Sequence, residues 1–446
     1  MQKRHAVGLG PVFAALLGTH LCLGGAAALA QNYNVIHLGT VGGNDSESRG
    51  LNENGQVVGW SDDVNGTDHA FYWDGTLMTD LGTLGGRESN ARDINNQGVI
   101  CGRADIDYWF QHATRWVGGS IEDLGTLGGQ ESSAYNINEA GQIVGWADIE
   151  SGAVRAFLWE NGVMNDLGTL GGVSSWAHGL NAQGDVAGYS YIPGGVKHAY
   201  LYSGGAMTDL GTLGGPTSRA FSVNDNGVVV GESDTAAGPS HACMWDNGVV
   251  TDLGTVGGPR SQAWHVNNLN QVVGWAENDA GSNRAFLWEN GVMYMLNDYI
   301  DQNSGWNLKE AYSISDAGFI SGRGTYNGNT RAFLLVPTGI SFLTLGGPDP
   351  GLSNADNTFT VDGATPGAEQ VFLYGLKTGS TEVPGCQGVF LSLNKPKEIA
   401  RAVADAGGHA EAVVFVPRQG SGLKVYFQTY EAATCRTSNV VTHLFP

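Results

Sequence analysis

Leu124-Gly125-Thr126-Leu127-Gly128-Gly129 decides the reading of this chain, because the same six-residue phrase recurs at 81–86, 167–172 and 210–215. A variant with Val in fourth place stands at 38–43 and 253–258. The first leucines, Leu38, Leu81, Leu124, Leu167, Leu210 and Leu253, are 43 residues apart at every step. One further step lands on Leu296, where the phrase has decayed to Leu-Asn-Asp. A strict period of this length marks stacked or circular repeats.

Working outward from the phrase, each unit reads as four short strands. The first ends in an Asn-x-x-Gly turn, as in Asn52 to Gly55, Asn95 to Gly98, Asn138 to Gly141, Asn181 to Gly184 and Asn224 to Gly227. Asn folds back on its own backbone and Gly supplies positive φ, so this is hairpin chemistry. The second strand follows as Val57-Val58-Gly59-Trp60 or Ile143-Val144-Gly145-Trp146, and the third as Ala70-Phe71-Tyr72-Trp73 or Ala156-Phe157-Leu158-Trp159. An Asp-Gly or Asn-Gly turn then leads to the fourth strand, which runs into the next Leu-Gly-Thr. Both parities of the third strand are apolar, as expected for a sheet covered on both faces. Four strands in about 43 residues is the blade length of a β-propeller, with a β-solenoid as the rival.

Seven sets of first-to-third strands are countable, centred on Leu51, Ile94, Ile137, Leu180, Val223, Val266 and Ile314. The last interval carries a five-residue insertion near 297–306. A fourth strand at 33–38 precedes the first full unit, so it is expected to complete the last blade. Segment 340–345 competes for the same place. The expected fold is all-β: a seven-bladed β-propeller over 31–345, a linker at 346–353 and a small β-sandwich over 354–446. The sandwich rests on candidate strands at 358–361, 370–376, 388–393, 412–416, 424–428 and 439–444, with turns at regular intervals.

The combination of Asn-x-x-Gly-x-Val-Val-Gly, His/Arg-Ala-Phe-x-Trp and Asp-Leu-Gly-Thr-Leu-Gly-Gly resembles the HAF-type extracellular repeat family. The resemblance covers about residues 33–336, and unit seven departs from it most, with Leu335 in place of Trp. It implies a secreted bacterial protein with propeller-like repeats, and it implies no particular activity. The C-terminal part resembles small immunoglobulin-like β domains of bacterial extracellular proteins.

The first thirty residues read as a signal peptide. Lys3, Arg4 and His5 precede an apolar stretch at 12–29, and Ala28-Leu29-Ala30 fits a small-x-small cleavage site. The expected location is therefore extracellular or periplasmic, with no membrane insertion, since the apolar stretch is short for a span. Removing Lys3 and Arg4 moves the net charge from −21 to −23. Such a chain repels nucleic acid and anionic lipid and favours a soluble monomer. With 69 glycines in 446 residues, more than twice the usual share of about 7%, the composition favours turns and strands over helices. Cys386 and Cys435 are expected to pair in an oxidising compartment, whereas Cys101 and Cys243 occupy apolar repeat positions and read as buried small hydrophobes.

Candidate chemistry lies where the repeat varies. The position three before the turn Asn reads Arg49, Arg92, Tyr135, His178, Phe221, Trp264 and Tyr312. A second variable position reads Trp60, Arg103, Trp146, Tyr189, Glu232, Trp275 and Arg323. Aromatic and Arg side chains are those that glycan or protein recognition uses. If the first strand is innermost, the first set lines a central channel; packing between blades is the alternative. The basic residue before each third-strand Ala (His69, His112, Arg155, His198, His241, Arg284, Arg331) reads as a hydrogen-bond partner for the Asp before each Leu-Gly-Thr (Asp80, Asp123, Asp166, Asp209, Asp252). No metal is expected there, because equivalent residues in different blades are too far apart. Acidic loops, and Asp93-Ile94-Asn95-Asn96-Gln97-Gly98 in particular, leave calcium as a weak cofactor candidate, although Ala104 stands where the twelfth position needs Glu. No catalytic motif is present, and no cofactor is otherwise expected. The leading expectation is a secreted, non-catalytic protein recognising an extracellular glycan or protein. A secreted lyase or hydrolase using the channel is the alternative, with Lys309-Glu310 in unit seven as the one break in the repeat. A surface scaffold or adhesin is the third.

Overall fold

A computed structural model describes residues 32–338, 344–384, 390–416, 422–432, 436–438 and 441–445. Among these the chain is built of strands, with one 3-10 turn at Leu296–Tyr299 and no α-helix. The signal-peptide expectation for 1–30 lies outside the described residues, and so does the expected pair Cys386 and Cys435. No helix among the described residues is long and apolar enough to cross a membrane.

Seven four-stranded antiparallel sheets follow one another through the repeat region. Their first strands are Ser46–Leu51, Ser89–Ile94, Gly128–Ile137, Ser175–Leu180, Gly214–Val223, Gly257–Val266 and Trp306–Ile314. Each lies against the first strand of the next sheet, and Trp306–Ile314 lies against Ser46–Leu51, so the series closes on itself. The arrangement is propeller-like, with the first strands innermost. The closing sheet is completed by the N-terminal strand Tyr33–His37, which pairs with Asn329–Pro337 in the register Tyr33↔Pro337, Val35↔Leu335 and His37↔Phe333. Of the competing segment, 340–345, only 344 and 345 lie among the described residues, and they belong to Thr344–Asp349, which pairs with Ala355–Asp362.

The repeated residues explain why the sheets form and stay together. Asn138 caps its turn by accepting Gln142 N–H on Oδ1 at 3.0 Å, while its Nδ2 donates to the Asn181 carbonyl of the next sheet at 3.1 Å. The same cross-sheet bond is made by Asn52, Asn95, Asn181, Asn224 and Asn267. A second stitch uses serines that the sequence reading passed over. The buried Ser132 hydroxyl accepts Ala113 N–H from the preceding sheet at 2.8 Å and donates to the Gly125 carbonyl at 2.5 Å. Ser175, Ser218 and Ser261 do likewise. In the last sheet Leu308 takes the serine position, and the insertion compensates: Asn297 bonds both the N–H and the carbonyl of Leu308. The Gly of Val-Val-Gly is required by close approach, because a Cβ on Gly145 would stand 2.0 Å from the Ser133 carbonyl oxygen.

The core lies between sheets. Cys101, Ala113 and Leu124 of one sheet pack with Ala134, Ile137, Ile143 and Phe157 of the next. Leu124 and Leu127 of the opening phrase belong to that layer, whereas Gly128 at φ +102 turns the chain towards the next first strand. Cys101 and Cys243 are fully buried free thiols, and burial pushes both thiols up.

Beyond the repeats a three-stranded sheet (Thr344–Asp349, Ala355–Asp362, Ala410–Val416) stands with a sheet built on Glu369–Gly375 and Lys424–Glu431. Phe359, Val361, Phe372, Phe427 and Phe445 share one core, so the two sheets face each other. The strand Thr344–Asp349 runs into the stretch expected as a linker, 346–353, and bends at a register shift between Gly346 and Asp349. Strands Thr378–Glu382 and Lys397–Val403 were not foreseen.

Candidate functional site

The expected His-to-Asp pairs form across the third and fourth strands of four sheets. His69 meets Asp80 at 2.7 Å, His112 meets Asp123 at 2.9 Å, and His198 and His241 meet Asp209 and Asp252 at 2.8 Å. Arg155 lies 3.8 Å from Asp166, and Arg331 lies 3.7 Å from Asp45. These pairs are repeated outer stitching. The Asp93 segment, the weak calcium candidate, begins inside the strand Ser89–Ile94. Asp93 is a strand residue whose Oδ2 accepts Asn136 Nδ2 at 2.7 Å and Ile137 N–H at 3.1 Å. That oxygen is occupied by the neighbouring sheet.

The seven first-strand candidates, one from each sheet, do converge. Arg49, Arg92, Tyr135, His178, Phe221, Trp264 and Tyr312 line one cavity of about 290 Å3 where the first strands meet. They touch in ring order. Arg49 lies over the Tyr312 ring at 4.4 Å. Tyr312 then meets Trp264 at 5.7 Å, Trp264 meets Phe221 at 4.7 Å, and Phe221 meets His178 edge-on at 5.3 Å. His178 stacks on Tyr135 at 4.5 Å, and Arg92 lies 5.3 Å from the Tyr135 centroid. The circle closes where the two arginines adjoin.

Electrostatics are uneven around this ring. Arg49 pairs with Glu47, a carboxylate only 1% exposed, and Glu47 also receives Arg323 Nη1 at 3.1 Å. Arg219 pairs with Glu232 at 3.1 Å. Arg92 has no carboxylate and no hydrogen-bond partner among the described residues, and its Nε is buried. Burial, and then the adjoining Arg49 guanidinium, push Arg92 down to about 10, so it keeps its charge at neutral pH. Burial pushes His178 down to about 3, with Arg92 and Arg219 adding to the shift. His178 is therefore a neutral imidazole. Burial pushes Tyr189 up to about 12, so its hydroxyl stays protonated.

Sequence reasoning missed Arg219 and Gln262, which also line the cavity. Each lies two residues before a ring member, and a strand repeats its direction every second residue. That parity was the available signal. Of the second variable set, Tyr189 reaches the cavity. Trp146 donates its indole N–H to Tyr135 Oη at 3.2 Å, and Trp275 donates to Gln262 Oε1 at 2.9 Å, so these two brace the lining.

Glu310, from the break in unit seven, is 6% exposed. It accepts Arg323 Nη2 at 2.6 Å, Tyr312 Oη at 2.9 Å and Asn283 Nδ2 at 3.3 Å. Its carboxylate is held as a fixed partner in that network. Among the described residues no cluster of three or more His, Cys, Asp or Glu side chains has the geometry to hold a metal ion.

Compared with known proteins, the chain matches no family model and no curated protein. It is similar to a solved structure, a triple arginine-to-alanine mutant of AofleA from Arthrobotrys oligospora, at 13% identity, over 87% of this chain and 94% of that one, with a TM-score of 0.26.

Proposed function

We propose that the chain is a secreted seven-bladed β-propeller of the HAF-repeat type, followed by a small β-sandwich, and that it works as a non-catalytic binding protein. Its ligand is extracellular and enters the cavity at the centre of the first strands. The observation that carries this reading is the convergence of seven side chains of five kinds, one from each repeat, on one cavity. The turns and the second and third strands are copied closely from unit to unit, whereas this cavity-facing position is not. The cavity volume is at the low end of ligand sites, which span about 300–1,000 Å3. It suits a monosaccharide-sized terminus of a glycan better than a protein surface.

The enzyme alternative has less support. Glu310 is engaged by three partners, and His178 stays neutral across the physiological range. The test is a panel of extracellular glycans screened for binding to the full chain and to Trp264→Ala. Saturable binding lost in the variant supports the reading. Turnover of any panel member that Glu310→Ala abolishes would overturn it, and so would the absence of binding across the panel.

A further inference from the structure

The lining of the axial cavity is lopsided in hydrogen-bonding character. Its buried side-chain atoms without partners are Arg49 Nε, Arg92 Nε, His178 Nε2, Arg219 Nε and Trp264 Nε1, all of them nitrogens. Guanidinium and indole N–H groups can only donate. Two of the three guanidiniums have a protein carboxylate; Arg92 does not. An unpaired cation recessed in a protein is costly unless something pairs it. The rings of the lining meanwhile pack on one another: Tyr135 stacks on His178, Phe221 meets Trp264 at a tilt of 51°, and Arg49 lies over Tyr312. What the cavity offers a ligand is donors and positive charge, at the place where Arg92 adjoins Arg49.

We infer that the axial cavity is an oxyanion site, in which the Arg92 guanidinium, with Arg49 beside it, receives a carboxylate, sulfate or phosphate group carried by the ligand. This rests on the binding reading above and specifies the ligand as anionic. A planar guanidinium matches a carboxylate or a phosphoryl group through two parallel N–H bonds, and pairing with a charged acceptor gives the stronger kind of hydrogen bond. The chain as a whole is acidic, at −21, so a cationic recess at its axis is a local exception and not a by-product of composition. Long-range repulsion by the acidic surface slows anion entry at low salt, while the contact at Arg92 holds the anion once it has arrived.

The test uses the full chain and three probes: D-glucuronate, D-glucose as its neutral counterpart, and free sulfate. Isothermal titration calorimetry is expected to show glucuronate binding at least tenfold tighter than glucose. Arg92→Met should remove that difference while the variant melts at or above the wild-type temperature, because a long apolar side chain replaces an unpaired charge. Arg92→Lys, which keeps the charge and loses the fork, should retain part of it. Competition by sulfate would identify a free oxyanion as sufficient, whereas glucuronate binding without competition would identify a carboxylate borne on a sugar. Equal affinity for glucose and glucuronate, no binding of either anion, or glucuronate affinity unchanged in Arg92→Met would each overturn the inference. Where a neutral glycan still binds and Trp264→Ala abolishes it, the binding reading survives and the anion assignment alone falls.

Discussion

Tyr135 and His178 stack face to face, with ring centroids 4.5 Å apart and planes 12° from parallel, although they belong to different sheets. The contact fixes both side chains around the cavity, and Trp146 holds the Tyr135 hydroxyl from behind. Such a pair contributes about 0.5–1.5 kcal/mol beyond its area. His178→Ala is expected to cost the fold no more than about 2 kcal/mol, and to weaken ligand binding more than tenfold by letting Tyr135 and Phe221 move. His178→Phe keeps a ring of similar shape and should restore most of the affinity. Denaturation and binding curves measured on the two variants separate these effects. A loss of affinity in both variants would show that the imidazole itself is needed.

The Asn-x-x-Gly turn makes a prediction about the join between sheets. Through a single side chain Asn138 satisfies one local N–H, the Gln142 side-chain oxygen and one carbonyl of the neighbouring sheet. Removing it leaves buried backbone groups without partners, at about 1–3 kcal/mol. Asn138→Ala should therefore lower stability by that amount in urea titrations. In the seventh unit Ser315 occupies the same position and its hydroxyl only accepts Phe319 N–H, at 3.2 Å. Ser315→Asn is expected to add the missing link to the first sheet and to raise stability by up to about 1 kcal/mol. A loss of stability in that variant would mean the first and last sheets meet differently from the other pairs.

Much of this was legible in the residues. The 43-residue period, the Asn-x-x-Gly turns and the two-sided third strands led to the sheets in their observed order, because turn chemistry and alternation are local properties. The variable first-strand position led to the cavity, because variation inside a faithful repeat is visible without a structure. What was not legible depends on tertiary register. Nothing local distinguishes the Ser132 hydroxyl, buried between two sheets, from a serine in a polar loop. Arg219 and Gln262 were missed because only the innermost place of their strand turns their parity toward the axis. The strand at Thr344–Asp349 was hidden by Gly-Gly-Pro, which reads as a chain break but here bends an edge strand.

Ring closure by the N-terminal strand has a measurable cost if undone. Tyr33 and Leu38 are 5% and 4% exposed, and Leu38 packs with Phe71, Trp73 and Leu334 across the first and last sheets. Burial of two such side chains contributes about 3–6 kcal/mol before the backbone pairs to Asn329–Pro337 are counted. Deleting 32–38 is expected to lower the urea midpoint sharply and to expose the edge strand Asn329–Pro337 to proteolysis. An unchanged midpoint would mean that the ring holds together without this strand.

Asp93 is the group from which pH dependence is expected. Burial pushes its carboxyl up to about 7, against the opposing effect of the Ile137 and Ile94 N–H groups. The unfolded chain releases that proton near the ordinary carboxylate value, about 3.9. Between those two values the folded protein holds a proton that the unfolded chain has given up. The stability contributed by this group is therefore complete below about pH 4 and is lost as pH rises through about 7. An uncharged side chain of the same shape removes the penalty, and the third sheet already uses one in the equivalent place: Asn136 Oδ1 accepts Leu180 N–H at 3.1 Å. Asp93→Asn should thus stabilise the protein at pH 8, by on the order of 2 kcal/mol, and leave it nearly unchanged at pH 4. Melting temperatures of wild type and variant recorded from pH 4 to pH 8 should diverge as pH rises. Parallel curves would place the Asp93 titration in the ordinary carboxylate range, and a variant less stable at pH 8 would show that Asp93 works in its charged form.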